Sequence, residues 1–268
     1  MTLEYGASGA QGGAVAARLL EKGLHVRSIT RNEEHAKQLE DRGIQAFVGD
    51  MADAETLRKA HEGVDRIFLN IPVEFDTVKI DSYINHAIRA VVEADAELLV
   101  VNTGSYVPPN QPTDALAIEI RRGLIERVKQ SGLAWIAVEP IVYLENFLIP
   151  GVLNEGVLAY PVPTDQPISW ISLDDAAQYH AYALTHPELA GNILAAPGKE
   201  SLTGEELAQT FGSVLEQEIK FVSLPFDHFE AAISPLLGEQ NAAGLEGLYQ
   251  WISGIQPFCR PMKKWLRT

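Results

Sequence analysis

Short apolar runs at residues 3–5, 25–30, 44–48, 66–71, 97–102 and 134–138 alternate with longer stretches whose apolar positions recur at helical spacing. The runs predict strands. The stretches at 14–22, 33–42, 54–61, 78–94 and 118–131 predict helices. In the first of them Val15, Leu19 and Leu20 form the apolar face and Gly23 stands where a C-cap belongs. Gly43 stops the second, and Asp53 can cap the third. Strands separated by helices of this length predict an α/β fold: a parallel sheet with right-handed crossovers.

After Pro140 the rhythm changes. Residues 144–170 are richer in Pro and Gly and carry only short apolar runs. A helix over 172–186 and a strand over 192–196 resume the earlier pattern. Thr203-Gly204-Glu205-Glu206 reads as a capping box that opens a helix to about residue 216. A short strand over 219–223 follows, and 226–254 reads as mostly helical. This predicts a nucleotide-type domain over 1–143, with 171–196 returning to it. Residues 144–170 and 197–268 then form a smaller substrate-binding region, mostly C-terminal.

One junction carries more than fold. Gly6-Ala7-Ser8-Gly9-Ala10-Gln11-Gly12 lies between the first strand and the first helix. Gly6 and Gly9 allow a tight turn and close approach of a pyrophosphate, and Gly12 lets the helix pack against the strand. The helix N-terminus then offers unpaired N–H groups to phosphate. Glycines at this spacing are weak evidence alone; the strand–turn–helix setting strengthens them. The sheet expected is therefore the doubly wound parallel Rossmann sheet. The second strand ends in Ser28-Ile29-Thr30-Arg31-Asn32, with no carboxylate where a site for NAD would place one on the ribose hydroxyls. Arg31 can clamp a 2′-phosphate, so NADP (NADPH) is the cofactor predicted. The alternative is a solvated loop arginine, with Glu33 and Glu34 just beyond it.

Charge and composition narrow the partners. The 268 residues are 46% hydrophobic and carry a formal net charge of −15, which disfavours nucleic acid and anionic membrane surfaces. The single cysteine, Cys259, permits no intrachain disulfide and no Cys-based zinc site. The seven histidines show no pair at metal-ligand spacing near a carboxylate, so no metal is predicted. His35 and His86 fall on predicted helices and read as surface residues. Lys263-Lys264-Trp265-Leu266-Arg267 reads as a solvated basic tail. No apolar run is long enough to span a membrane, and the first strand starts too near Met1 for a signal peptide. These features predict a cytoplasmic protein with a small-molecule substrate.

The glycine turn, together with Val26-Arg-Ser-Ile-Thr-Arg-Asn32, Val48-Gly-Asp50, Ser131-Gly-Leu133, Glu139-Pro140 and Leu144-Glu-Asn-Phe147, resembles the NmrA-like family of atypical short-chain dehydrogenases/reductases. The resemblance covers most of 3–147 and continues to Pro197. That family includes NADPH-dependent quinone reductases, reductases of secondary metabolism, and NADP(H) sensors that do no chemistry. The resemblance implies that Ser8, Ala10 and Gln11 line the pyrophosphate, and that Thr30 and Arg31 hold the 2′-phosphate. It places Asp50 and Met51 beside adenine, Asn70, Ile71 and Pro72 along the ribose, and Thr103, Gly104 and Ser105 near the nicotinamide.

Catalytic positions are less complete. None of the eight tyrosines has a lysine four residues later, so the Tyr-x-x-x-Lys pair of many short-chain dehydrogenases is missing. Where many NmrA-like members keep a lysine, ten residues before Ser-Gly-Leu, this chain has Arg121, and Ala117 replaces a histidine often found four residues earlier. Arg121 can bind a ribose or a substrate carbonyl but stays protonated; its other reading is a solvated helix arginine. Tyr106 and Tyr143, at strand exits, can donate or stack, or serve as pocket walls or core. Two readings follow: an NADPH-dependent reductase of a small apolar carbonyl, quinone or imine, or a non-catalytic NADP(H)-sensing regulator acting through a homo-oligomer or a protein partner.

Overall fold

The computed structural model describes residues 1–255. Cys259 and the basic tail 263–267 lie outside the described residues. The chain divides into two compact units. The first comprises 1–104, 121–139 and 173–194; the second comprises 105–120, 140–172 and 195 onward.

The central sheet has seven strands, in the order β11-β6-β5-β4-β1-β2-β3. They are β1 (Thr2–Tyr5), β2 (Val26–Thr30), β3 (Gln45–Val48), β4 (Arg66–Asn70), β5 (Leu98–Asn102), β6 (Trp135–Pro140) and β11 (Asn192–Ala196). Five successive ladders, from β3–β2 to β5–β6, are parallel. The order reverses between β1 and β4, which is the switch point where doubly wound sheets bind ligands beyond their strand C-termini. Crossover helices are α1 (Ala10–Glu21), α2 (Glu33–Asp41), α3 (Ala54–Ala60), α4 (Thr77–Glu93), α5 (Leu116–Gln130) and α6 (Leu173–Thr185).

The strands bury both faces, as parallel strands covered by helices must. Leu3, Ile67, Leu69 and Leu98 are wholly shielded. Helix α1 packs on α6, burying Gly12, Val15, Ala16 and Leu19 on one and Ala176, Ala177 and Ala181 on the other. An Arg18–Asp174 ion pair closes the edge of that contact. Helix α1 begins at Ala10, four residues before the start predicted from its periodicity.

In the second unit the stretch 144–170 is not featureless. It holds a 3-10 helix (Leu144–Leu148) and the strands β8 (Leu153–Asn154), β9 (Val157–Tyr160) and β10 (Trp170–Ile171). Strand β9 pairs antiparallel with β8 and parallel with β12 (Lys220–Ser223). Strand β10 pairs parallel with β7 (Val142–Tyr143). Helix α7 (Gly204–Leu215) opens with the predicted capping box: Thr203 Oγ accepts from Glu206 N, and Glu206 accepts from Thr203 N. The expected long helical stretch is two helices, α8 (Phe226–Leu237) and α9 (Glu239–Ser253), split at Gly238, whose φ of +82° excludes a continuing helix. Phe147, Tyr160, Trp170, Phe229 and Tyr249 pack ring against ring as the core of this unit, mostly edge to face. The Tyr160 and Tyr249 hydroxyls bond to each other, and the Asn146 amide donates to Tyr160 at 2.7 Å.

Candidate functional site

The site is built on the first unit, where β1 turns into α1. Gly6 sits at φ +97°, a conformation that L side chains rarely adopt. Gly9 N–H donates to Gly6 O at 2.8 Å and closes the turn. A Cβ on Gly12 would fall 2.5 Å from both Gly6 C and Gly6 O and 2.1 Å from Glu4 Oε1. The third glycine is therefore fixed by steric contact with the first.

Helix α1 has no side-chain cap and no acid in its first turn. Its neighbours differ. Asn32, Asp53 and Asp76 each accept two backbone N–H bonds at the starts of α2, α3 and α4. The N-terminal N–H groups of α1 are left for a ligand or solvent, with the positive end of the helix dipole behind them. Ser8, Gly9 and Ala10 are exposed there, and Gln11 is half-buried.

Around the turn, β2 ends at the buried Thr30, and Arg31 follows exposed. Asn32 uses its carbonyl as the cap of α2, accepting from Glu34 N at 2.7 Å. Gly49 N–H donates to Thr30 O at 2.9 Å, so the end of β3 is tied to the end of β2. Asp50 accepts from Ala52 N at 2.8 Å. The Met51 carbonyl accepts from His86 Nδ1 at 3.1 Å, so His86 is half-buried rather than the surface residue expected. Past β4, Ile71 is buried and Pro72 exposed.

Asn102 closes β5 and is 2% exposed. Its Nδ2 donates to Gln11 Oε1 at 3.0 Å and to Asn70 Oδ1 at 3.1 Å, and its Oδ1 accepts from Gly104 N at 2.9 Å. Thr103 is buried and its hydroxyl donates to Val138 O at 3.1 Å. Gly104 turns with φ +62°. The Arg121 guanidinium reaches the Thr103 carbonyl through Nε, and a Cβ on Gly104 would meet its Nη2 at 3.7 Å. Arg121 is thus anchored at the C-terminal end of β5 rather than extended into solvent.

Ser105, Tyr106 and Tyr143 belong to the second unit. Ser105 is buried. The Tyr106 ring lies 6.5 Å from that of Trp251, and Tyr143 is buried in β7.

The pattern reading missed three residues. Glu4 is an acid within an apolar strand, wholly buried directly beneath Gly12. Ser28 Oγ donates to its Oε2 at 3.3 Å. Burial pushes its carboxyl up to about 8, against the weaker lowering effects of Ser28, the Ala7 N–H and Arg42. Arg42 donates to Ala7 O at 3.3 Å and to Gly13 O at 3.1 Å, bracing the turn from outside. Asn102 is the third. The signal for Glu4 and Asn102 was a polar side chain in an otherwise apolar strand.

Strand order, switch point, glycine turn and uncapped helix together define the class: a dinucleotide-type Rossmann domain joined to a second, smaller unit. The cradle suits an NADP pyrophosphate on two observations, the absence of any Cβ that would fill it and the uncompensated N–H groups of α1. The family model of the NmrA-like family matches residues 3–259, and the chain belongs to that family. It is 28% identical over 255 residues to an NAD(P)H azoreductase of Xenophilus azovorans, covering 93% of this chain and 86% of that protein. The fold is shared with the triphenylmethane reductase of Citrobacter sp. solved with NADP(H), at TM-score 0.81 and 18% identity over 98% and 93% of the two chains. It is shared also with an NADPH-dependent quinone oxidoreductase of Escherichia coli solved with NADPH, at TM-score 0.76 and 20% identity over 96% and 92%. Among the described residues no helix is long and apolar enough to cross a membrane, and no three His, Cys, Asp or Glu side chains group as a metal site.

Proposed function

We propose that the chain is an NADP(H)-dependent reductase of a small, rather apolar carbonyl, quinone, imine or azo compound. The observation that carries this is the pairing of an uncapped α1, free of first-turn acids, with a β2 that ends at Thr30 and is followed by Arg31, with no carboxylate at its end. The azoreductase and reductase names of its relatives support the reductase class.

In this reading Gly6, Ser8, Gly9, Ala10, Gln11 and Gly12 hold the pyrophosphate through backbone and amide N–H groups. Thr30 and Arg31 hold the 2′-phosphate, and Asp50 and Met51 flank adenine. Asn70, Ile71 and Pro72 follow the ribose, and Thr103, Gly104 and Ser105 lie toward the nicotinamide. Bound NADPH supplies a hydride. Arg121 keeps its proton and offers hydrogen bonds only. Tyr106 and Tyr143 are the hydroxyls assigned to substrate contact. A quinone or an iminium needs little acid help from the protein and takes any proton from water.

The test follows NADPH oxidation by the purified protein across quinone, azo, carbonyl and imine substrates. Turnover of at least one class is expected. A protein that binds NADPH tightly and oxidises it with none of them overturns the reductase reading.

One observation favours a second reading, an NADP(H) sensor working through an oligomer or partner: Arg121 stands at the family's lysine position and no tyrosine has its lysine partner. A sensor must bind NADP⁺ and NADPH with different consequences, since a ligand shifts only states that it distinguishes. Identical oligomeric state and partner affinity with the two forms would sink it.

A further inference from the structure

We propose that Asn102 is a positioning residue that sets the polarity of the phosphate-binding turn, compelling Gln11 to present its N–H₂ group, not its carbonyl, to the cofactor. This rests on the NADP(H) reading above.

The polarity of the Gly104 N–H is beyond choice. Gly104 N is a backbone donor, and it meets the Asn102 side chain at 2.9 Å. The atom facing it must be Oδ1. The Asn102 amide is thereby oriented, and its Nδ2 must face Gln11 and Asn70, at 3.0 and 3.1 Å. An N–H₂ group cannot accept, so both partners must turn their oxygens inward. Their own N–H₂ groups are then directed away. Asn70 Nδ2 lies toward the glycine turn, 3.8 Å from where a Cβ on Gly6 would stand. Gln11 Nε2 bonds to no group among the described residues, and Gln11 is the second residue of α1. It is a donor held beside the helix N-terminus.

A freely rotating glutamine would offer an anion either end of its amide. With its oxygen fixed by a residue 2% exposed, Gln11 is preorganised as a donor and loses less freedom on binding. The nicotinamide-side turn at Gly104 and the pyrophosphate-side turn at Gln11 are thus linked through one side chain.

The test is a double-mutant cycle on NADPH affinity, read by nucleotide fluorescence in the full chain without substrate. Asn102→Asp keeps the acceptor for Gly104 but offers only oxygens to Gln11, which must turn its N–H₂ inward and its oxygen toward phosphate. Losing a charge-assisted donor and gaining a repulsive oxygen is expected to weaken NADPH binding by about tenfold or more. The added carboxylate also acts at a distance, so the same change is made in Gln11→Ala. There the loss is expected to shrink to about threefold or less, because the positioned group is gone. Adenosine 2′-monophosphate, which has no pyrophosphate, should bind wild type and Asn102→Asp within about twofold. If Asn102→Asp does not fold, as judged by its melting curve, the neutral Asn102→Ser carries the cycle, with a loss confined to the Gln11 background. Equal loss in both backgrounds, or no loss in either, overturns the inference. A wild type that fails to bind NADPH overturns the cofactor reading itself and the inference with it.

Discussion

Replacing Glu4 by glutamine isolates one proton and leaves the shape of the turn nearly unchanged. The Glu4 carboxyl is wholly buried, Ser28 Oγ donates to one oxygen, and Oε1 has no hydrogen-bond partner among the described residues. Burial raises its pKa from 4.5 to about 8. The folded pKa lies above the unfolded one, so between these values the folded chain holds a proton that the unfolded chain has released. Stability is full below about pH 4.5, falls as pH rises toward 8, and is flat beyond. At ~1.4 kcal/mol per pH unit the window is worth on the order of 5 kcal/mol. Glutamine cannot ionise, so Glu4→Gln removes this slope. Its N–H₂ beside the Oε1 position carries a cost of roughly 1–3 kcal/mol that does not vary with pH. The stability difference between variant and wild type should therefore move in the variant's favour by several kcal/mol from about pH 5 to about pH 9. Urea denaturation of the apo protein across that range measures it. Parallel stability profiles for the two proteins would refute the assignment of a neutral buried acid beneath Gly12.

The other predictions concern the same unit and α7. Gly12→Ala places a methyl group 2.5 Å from Gly6 backbone atoms; it should destabilise the protein by about 1–3 kcal/mol or more and weaken NADPH binding, both visible in melting curves with and without nucleotide. Arg31→Ala should weaken NADPH binding by about ten- to a hundredfold while leaving NADH nearly unchanged, so paired titrations check the 2′-phosphate assignment. Burial lowers His61 and His180 to about 4 from 6.5. Each is neutral in the fold and charges on unfolding, so stability drops as pH falls from 6.5 toward 4, and His180→Leu should flatten that limb by on the order of 3 kcal/mol. Thr203→Ala removes the cap of α7 and should cost about 1 kcal/mol in denaturation experiments.

The alternation of strands and helices through residue 140 was legible because each apolar run is long enough to show its period and each helix has a stop or a cap. The start of α1 was not. Gly12 and Gly13 read as loop by propensity, yet they are helical, and at Gly12 only a residue without Cβ can sit against Gly6. Packing overrides propensity at that position. The sheet of the second unit escaped for another reason. Strand β8 is only two residues long, and β9 finds its parallel partner in β12, far along the chain. Gly238 was a visible residue, but nothing in its neighbours announced a positive φ.

The candidate site shows a more specific limit. Glu4 and Ser28 are register partners on β1 and β2, and Asn70 and Asn102 are partners on β4 and β5. The two pairs flank the β1–β4 junction. Read singly, each residue is a polar interruption in an apolar run and marks only a strand end. Read across the ladder, each accounts for the other, since a buried polar atom costs about 1–3 kcal/mol unless it is paired. Register is what converts four anomalies into two supports beside the glycine turn, and register is absent from a single sequence without its fold. Arg121 is held by the Thr103 carbonyl, and its guanidinium keeps its protons and offers hydrogen bonds only. In the proposed reading, the polar side chains at these strand ends hold a dinucleotide in one polarity. The proposed reduction therefore favours substrates that accept hydride without an acid from the protein, which is why the quinone and azo arms of the substrate panel carry the greater weight.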